Sequence, residues 1–185
     1  MKYPITFAAA ILCCAMPAFA QQAPAPAAAP KIETNPISNH LRSDLADSAK
    51  NMVAAADEMP ADKYSYQPTP QQMTFAHLVL HATTGNYFFC WRLSGVARPD
   101  VKLADTDGKD KLLAALKASY DFCTANLANV DDSNLGETLP FFGVRTISRG
   151  GLMMTVSAEF ADHYSIAAMY LRMNELLPPT AKKEK

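Results

Sequence analysis

The sequence predicts an all-α protein, an antiparallel four-helix bundle with long connections between helices two and three and between helices three and four. Three observations predict it. Apolar side chains recur every three or four residues in four separate stretches. The period-two alternation that marks half-buried strands is nearly absent. Proline, glycine or a capping side chain bounds each stretch.

Taken in chain order, residues 1–20, MKYPITFAAAILCCAMPAFA, read as a secretory signal peptide. Lys2 gives a positive start, Ile5 to Met16 an apolar centre, and Ala18-Phe19-Ala20 a small-x-small cleavage site. That centre is too short to cross a bilayer. Residues 21–35 are rich in alanine and proline and carry few bulky apolar side chains, so they form a linker. Residues 36–179 form the bundle, and 180–185 a disordered tail.

The first helix starts at Asn35-Pro36, a capping residue followed by proline at the first helical position. Ile37, Leu41, Leu45, Ala49, Met52 and Ala56 carry its apolar stripe until Met59-Pro60 stops it. KYSYQPTP (63–70) is a proline-punctuated loop, and Thr69-Pro70 repeats the cap-and-proline start for helix two. Phe75, Leu78, Val79, Ala82, Phe88, Phe89 and Leu93 carry that helix to Gly95. The polar connector VARPDVKLADTDG (96–108) leads to a third stripe of Leu112, Leu113, Leu116, Tyr120, Cys123 and Leu127. DDSNLGETLPFFGVRT (131–146) is the least regular ordered segment. Ser148 or Thr146 caps the last helix, which runs to about Leu176 before Leu177-Pro178-Pro179.

Charge and cysteine usage narrow the function. Seventeen basic and eighteen acidic residues nearly cancel, and no basic block precedes the terminal KKEK, so nucleic-acid or anionic-membrane binding has no electrostatic support. No later segment is apolar enough to span a membrane. Cys90 and Cys123 remain after the signal, and neither belongs to a C-x-x-C pair. They are either disulfide-bonded, as an oxidising compartment allows, or two buried free thiols.

The chemistry concentrates on two pairs spaced four apart, His77/His81 and Glu159/His163. Positions four apart differ by about 40° around a helix, so each pair shares a face. Bundles build metal sites from inward-projecting imidazoles and carboxylates on facing helices. Such donors suit Zn, Fe, Mn or Ni, and three protein ligands leave a position open for water or substrate. The bland alternative places His77 on the rim, makes His81 a satisfied core histidine, and hydrogen-bonds Glu159 to His163. Asp162 points about 100° off the stripe and reads as a surface residue. Asn86 and Tyr87 fall where a pocket mouth would lie, Arg172 reads as a helix-end residue, and the methionines as core filler.

FAHLVLHATTGNYFFC (75–90), DKLLAALKASYDFC (110–123) and DHYSIAAMYLRMNELLPP (162–179), with KYSYQPTP ahead of them, carry a resemblance. Over roughly residues 36–179 the chain resembles the DinB-like (YfiT-like) superfamily of metal-dependent bundles, and within it a secreted subgroup. The resemblance implies a divalent metal held by one histidine of helix two and a His-x-x-x-His pair of helix four. His81 and His163 match two of these positions, but Glu159 stands where the first histidine of the pair belongs. Three readings stay open: Glu159 serves as a carboxylate ligand, His77 swings in as the third nitrogen, or the site is metal-free with Glu159 set against a protonated His163. The resemblance further implies a hydrolase or thiol-transferase activity on a small-molecule substrate, and a homodimer. The competing expectation is a non-catalytic, small-ligand-binding or stress-related bundle with a degenerate site. No nucleophile–base pair beyond these ligands stands out in the sequence.

Overall fold

The structure is a computed structural model that describes residues 31–182. The expected signal peptide and all but the end of the linker lie outside the described residues. Four helices follow in order: α1 (Pro36–Glu58), α2 (Phe75–Ser94), α3 (Lys109–Leu127) and α4 (Arg149–Met173). Short 3-10 turns lie at Ala61–Lys63 and Pro179–Ala181.

Each helix forms because its apolar side chains line one stripe. On α1 the buried set is Ser38, Leu41, Leu45, Ser48, Met52, Ala55 and Ala56, one face at spacings of three and four. Its N-terminus is finished from far away. Asn35 occupies the cap with a left-handed φ of 58° but makes no side-chain cap bond. Instead the Asp132 carboxylate accepts from Ile37 N (2.9 Å) and Ser38 N (2.8 Å), residues 95 and 94 positions distant. A carboxylate on these orphan N–H groups also complements the helix dipole.

Helix α2 begins later than the Thr69-Pro70 signal suggests. Gln72 N bonds Thr69 O, which closes those residues into a turn, and the cap passes to Thr74, whose Oγ1 accepts from His77 N at 3.1 Å. Gly95, at φ 76°, ends the helix in the left-handed conformation that glycine adopts without strain. Ser148 caps α4 by accepting from Gly151 N. That helix stops at Met173, three residues before the expected end. Glu175 takes a φ of 62°, with Leu176 N bonded to Leu171 O and Glu175 N to Arg172 O, a Schellman closure in which glutamate replaces the usual glycine.

The connection between α3 and α4 is more regular than the sequence suggests. Thr138–Phe141 (β1) pairs antiparallel with Arg145–Ser148 (β2), with Thr138 opposite Ser148 and Phe141 opposite Arg145. Pro140 hides the strand in the sequence. In a two-strand hairpin every strand is an edge, where proline is tolerated. The segment from residue 180, expected as a loose tail, is held as far as Lys182: Thr180 bonds the Tyr164 hydroxyl through N (3.0 Å) and Oγ1 (2.7 Å), and Lys182 Nζ lies 2.7 Å from Glu58 Oε1.

The four helices form the expected bundle, with α1 packed on α3 and α4, and α2 on the same two. Chain direction follows from the bonds between them. Asn86 Nδ2 donates to Ser119 Oγ (3.0 Å), and one turn on, Cys90 and Cys123 form a disulfide with Cα atoms 5.2 Å apart, so α2 and α3 run parallel. Arg42 donates to Leu127 O and Val130 O, Ser48 meets Tyr120 at 2.7 Å, and Asp57 pairs with Lys109, so α1 and α3 run opposite ways. Tyr170 OH bonds Met73 O and Arg149 bonds Leu93 O, so α2 and α4 also run opposite ways. The parallel pairs are possible because the α2–α3 connection travels the length of the bundle, whereas the α3–α4 connection stays at one end, with Asp132 on the start of α1 and Glu137 O bonded to Arg149 N. Among the described residues no helix is long and apolar enough to cross a membrane.

Both cysteines are fully buried. The signal-free protein is therefore expected to show no free thiol in Ellman titration until it is unfolded and reduced. A bridge closing 33 residues constrains the unfolded chain by about 3–4 kcal/mol, so Cys90→Ala/Cys123→Ala should lower urea-unfolding stability by about that amount.

Candidate metal centre

The antiparallel contact of α2 on α4 brings His81 to His163 with ring centroids 5.1 Å apart and planes at 86°. Glu159 stands one turn before His163, with Oε2 3.5 Å from His163 Nε2. One donor atom from each of His81, Glu159 and His163 lies within 4.8 Å of the other two. The three differ in exposure: His163 is buried, Glu159 half-buried and His81 exposed at the mouth. The site is thus anchored at its floor and open at its rim.

The His163 imidazole carries the strongest signal. Its Nε2 is buried and has no hydrogen-bond partner, a state that costs about 1–3 kcal/mol when nothing else satisfies the atom. Burial first, and the neighbouring His81 second, push its pKa down from 6.5 to about 4, against an opposing pull from Asp162. The ring is therefore neutral near pH 7 and its lone pair is available to a cation. An ion pair between Glu159 and a protonated His163 does not describe this site at neutral pH. Imidazole, imidazole and carboxylate are a donor set that a divalent ion accepts, and an unsatisfied buried nitrogen beside a carboxylate fits such an ion.

The two pairs singled out in the sequence fare differently. His77 shares the face of His81 but lies one turn along the axis and turns toward the connector, where Nδ1 meets Asp105 Oδ2 at 3.3 Å; it does not join the cluster. Asn86 is buried against Ser119 and faces α3, whereas Tyr87 packs on the Phe122 ring and also lines a neighbouring pocket with Thr84 and Arg98, outside the cleft of the donors. Asp162 is exposed, as its angular position implies, and acts on His163 only through its charge. Arg172 lies exposed in the last turn of α4.

The donors line a cleft of about 300 Å³ together with Thr84, Gly85, Phe88, Phe89, Arg98 and Phe142. Gly85 brings the α2 backbone close to the donors: a Cβ there would stand in ordinary contact, 3.7 Å from Phe89 and 3.8 Å from the His163 ring, and would take up space in the cleft. Helical spacing from His81 signals Gly85 and Phe88. Arg98 on the connector and Phe142 at the hairpin tip have no periodic cue, and sequence reasoning missed both.

A family model described as the DinB superfamily matches residues 44–167. Among solved structures, a DinB-like protein, YjoA, from Bacillus subtilis is similar with a TM-score of 0.62 and 21% identity, covering 79% of this chain and 100% of that one. A DinB-like protein from Bacillus cereus gives a TM-score of 0.61 and 15% identity, covering 76% of this chain and 95% of its own. No curated protein matches the chain.

The acid behaviour of His163 follows from its burial. Above pH 6.5 the imidazole is neutral in folded and unfolded chains alike and adds no pH dependence. As pH falls from 6.5 toward about 4, the unfolded chain takes up a proton that the folded one refuses, so stability is lost over that window. The ceiling is about 3 kcal/mol at ~1.36 kcal/mol per pH unit. Urea unfolding of the metal-free protein should show this decline, and His163→Asn should flatten it; equal slopes would contradict the assignment.

Proposed function

The chain belongs to the DinB superfamily, and we propose that it is an exported divalent-metal protein whose centre is His81, Glu159 and His163 and whose activity is of the hydrolase or thiol-transferase type. The observation that carries the reading is the orphaned, buried Nε2 of His163 placed 3.5 Å from a carboxylate and facing a second imidazole. Glu159 takes the place of a third imidazole. The resulting two-histidine, one-carboxylate set suits iron or manganese as well as zinc or nickel.

A bound divalent cation would supply Lewis acidity at the floor of the cleft. The chain's own residues do the rest. Burial keeps His163 neutral and fixed, and helix α4 holds Glu159 one turn away. Gly85 leaves room for a small molecule beside the donors, and the apolar side chains of Phe88 and Phe89 keep water from part of the cleft. Export is supported by the charge and hydropathy pattern of residues 1–20 and by a buried disulfide of the kind that persists in oxidising compartments. The mature protein is expected in the periplasm or outside the cell, with Gln21 as its first residue; an intact-mass measurement on exported material reads this directly.

Metal titration of protein without a polyhistidine tag tests the centre. One equivalent of Zn, Mn, Fe or Ni should bind. His81→Ala and His163→Ala should each weaken binding beyond the ~10–100-fold that loss of a mere outer-shell partner costs, whereas His77→Ala should leave it unchanged. Glu159→His should tighten zinc. Failure to bind any of the four metals would leave a non-catalytic, small-ligand bundle.

A further inference from the structure

One wall of the cleft serves no purpose in holding a cation. Arg98, from the connector between α2 and α3, lines it and has no carboxylate partner among the described residues; its guanidinium lies 5.4 Å from the Trp91 ring centroid. Near it, Arg92 packs 4.1 Å from the Trp91 centroid and 5.5 Å from that of Phe88, with a buried Nε that has no hydrogen-bond partner. Phe142 forms the facing edge. It is 57% exposed, holds a φ of 42°, and stacks on Phe88 with centroids 5.0 Å apart and planes 10° apart. A bulky residue in the left-handed region is strained, and such strain gathers at ligand clamps. The rim is therefore cationic and aromatic, above a floor of neutral imidazole and carboxylate.

We infer that this cleft takes a small organic anion with a flat apolar body, the oxyanion paired with Arg98 and the body laid against Phe88 and Phe142. The inference rests on the proposed metal centre for what happens at the floor. A planar guanidinium matches a carboxylate through two parallel hydrogen bonds, and aromatic side chains bind flat groups by stacking. The ligand set gives a reason for the division of labour. Three imidazoles would leave a divalent ion its full charge to draw anions, whereas Glu159 cancels part of it. Arg98 then restores attraction from another wall of the same cleft. A neutral ligand of equal shape would leave that guanidinium unpaired.

Calorimetric titration with 2-naphthoate and its neutral counterpart 2-naphthalenemethanol tests this on zinc-loaded and metal-free protein. The acid should bind the wild-type protein about tenfold tighter than the alcohol, the ratio expected of one charge-assisted contact. Arg98→Met should bring the ratio close to one at unchanged zinc content, Arg98→Lys should retain part of it, and Phe142→Ala should weaken both probes alike. A wild-type ratio near one overturns the inference. So does a preference undiminished in Arg98→Met, since the anion would then sit on the metal. Should the protein hold none of zinc, manganese, iron or nickel, the proposed centre fails, and the same ratio on the metal-free wild-type and Arg98→Met proteins still decides the role of Arg98.

Discussion

The antiparallel seating of α2 on α4 is the constraint on which the site depends. It is pinned at both ends, by Tyr170 on the carbonyl of Met73 and by Arg149 on the carbonyl of Leu93. Between these ties the register is fixed to within a side chain, and His81 arrives opposite His163. A slip by one turn would move the rings about 5.4 Å apart along the axis and dissolve the cluster. The disulfide to α3 adds a third restraint, anchoring α2 from its other side.

Within that frame the cluster is graded in depth. Its deepest nitrogen is unsatisfied and its shallowest ring is open to solvent, so a cation would enter past His81 and settle against His163. Glu159 gives the set a negative charge that a third imidazole would not. The consequence reaches beyond the donors, because a centre carrying a carboxylate draws anions less strongly and the remaining walls must supply that attraction. Phe88 and Phe142 supply apolar surface there, and Arg98 supplies charge.

Much of the fold was legible because helices announce themselves by periodicity. Stripes such as Leu112, Leu116, Tyr120, Cys123 and Leu127 are buried as their spacing implies. Local signals worked where the physics is local, as at Gly95 and Ser148. They failed where a distant group finishes the job. Asn35-Pro36 marked the start of α1 but not that Asp132 would cap it, and Pro140 disguised a hairpin strand. Helix direction was hidden because periodicity says nothing about whether a long connector returns the chain to the end it left. The same limit explains His77 and His81. Spacing establishes that two residues share a face, not which one stands level with a partner helix. Arg98 was invisible because a connector carries no period at all.

The cap on α1 has a bearing on how the chain comes together. Its first two free amides await a carboxylate encoded 94 and 95 positions later, so the earliest helix to leave the ribosome is the one that stays unfinished longest. Until the loop beyond α3 has emerged, α1 has an open end and little to lie against. The polypeptide thus carries its own delay against premature compaction, since the end of α1 closes only after the chain has been made as far as Asp132.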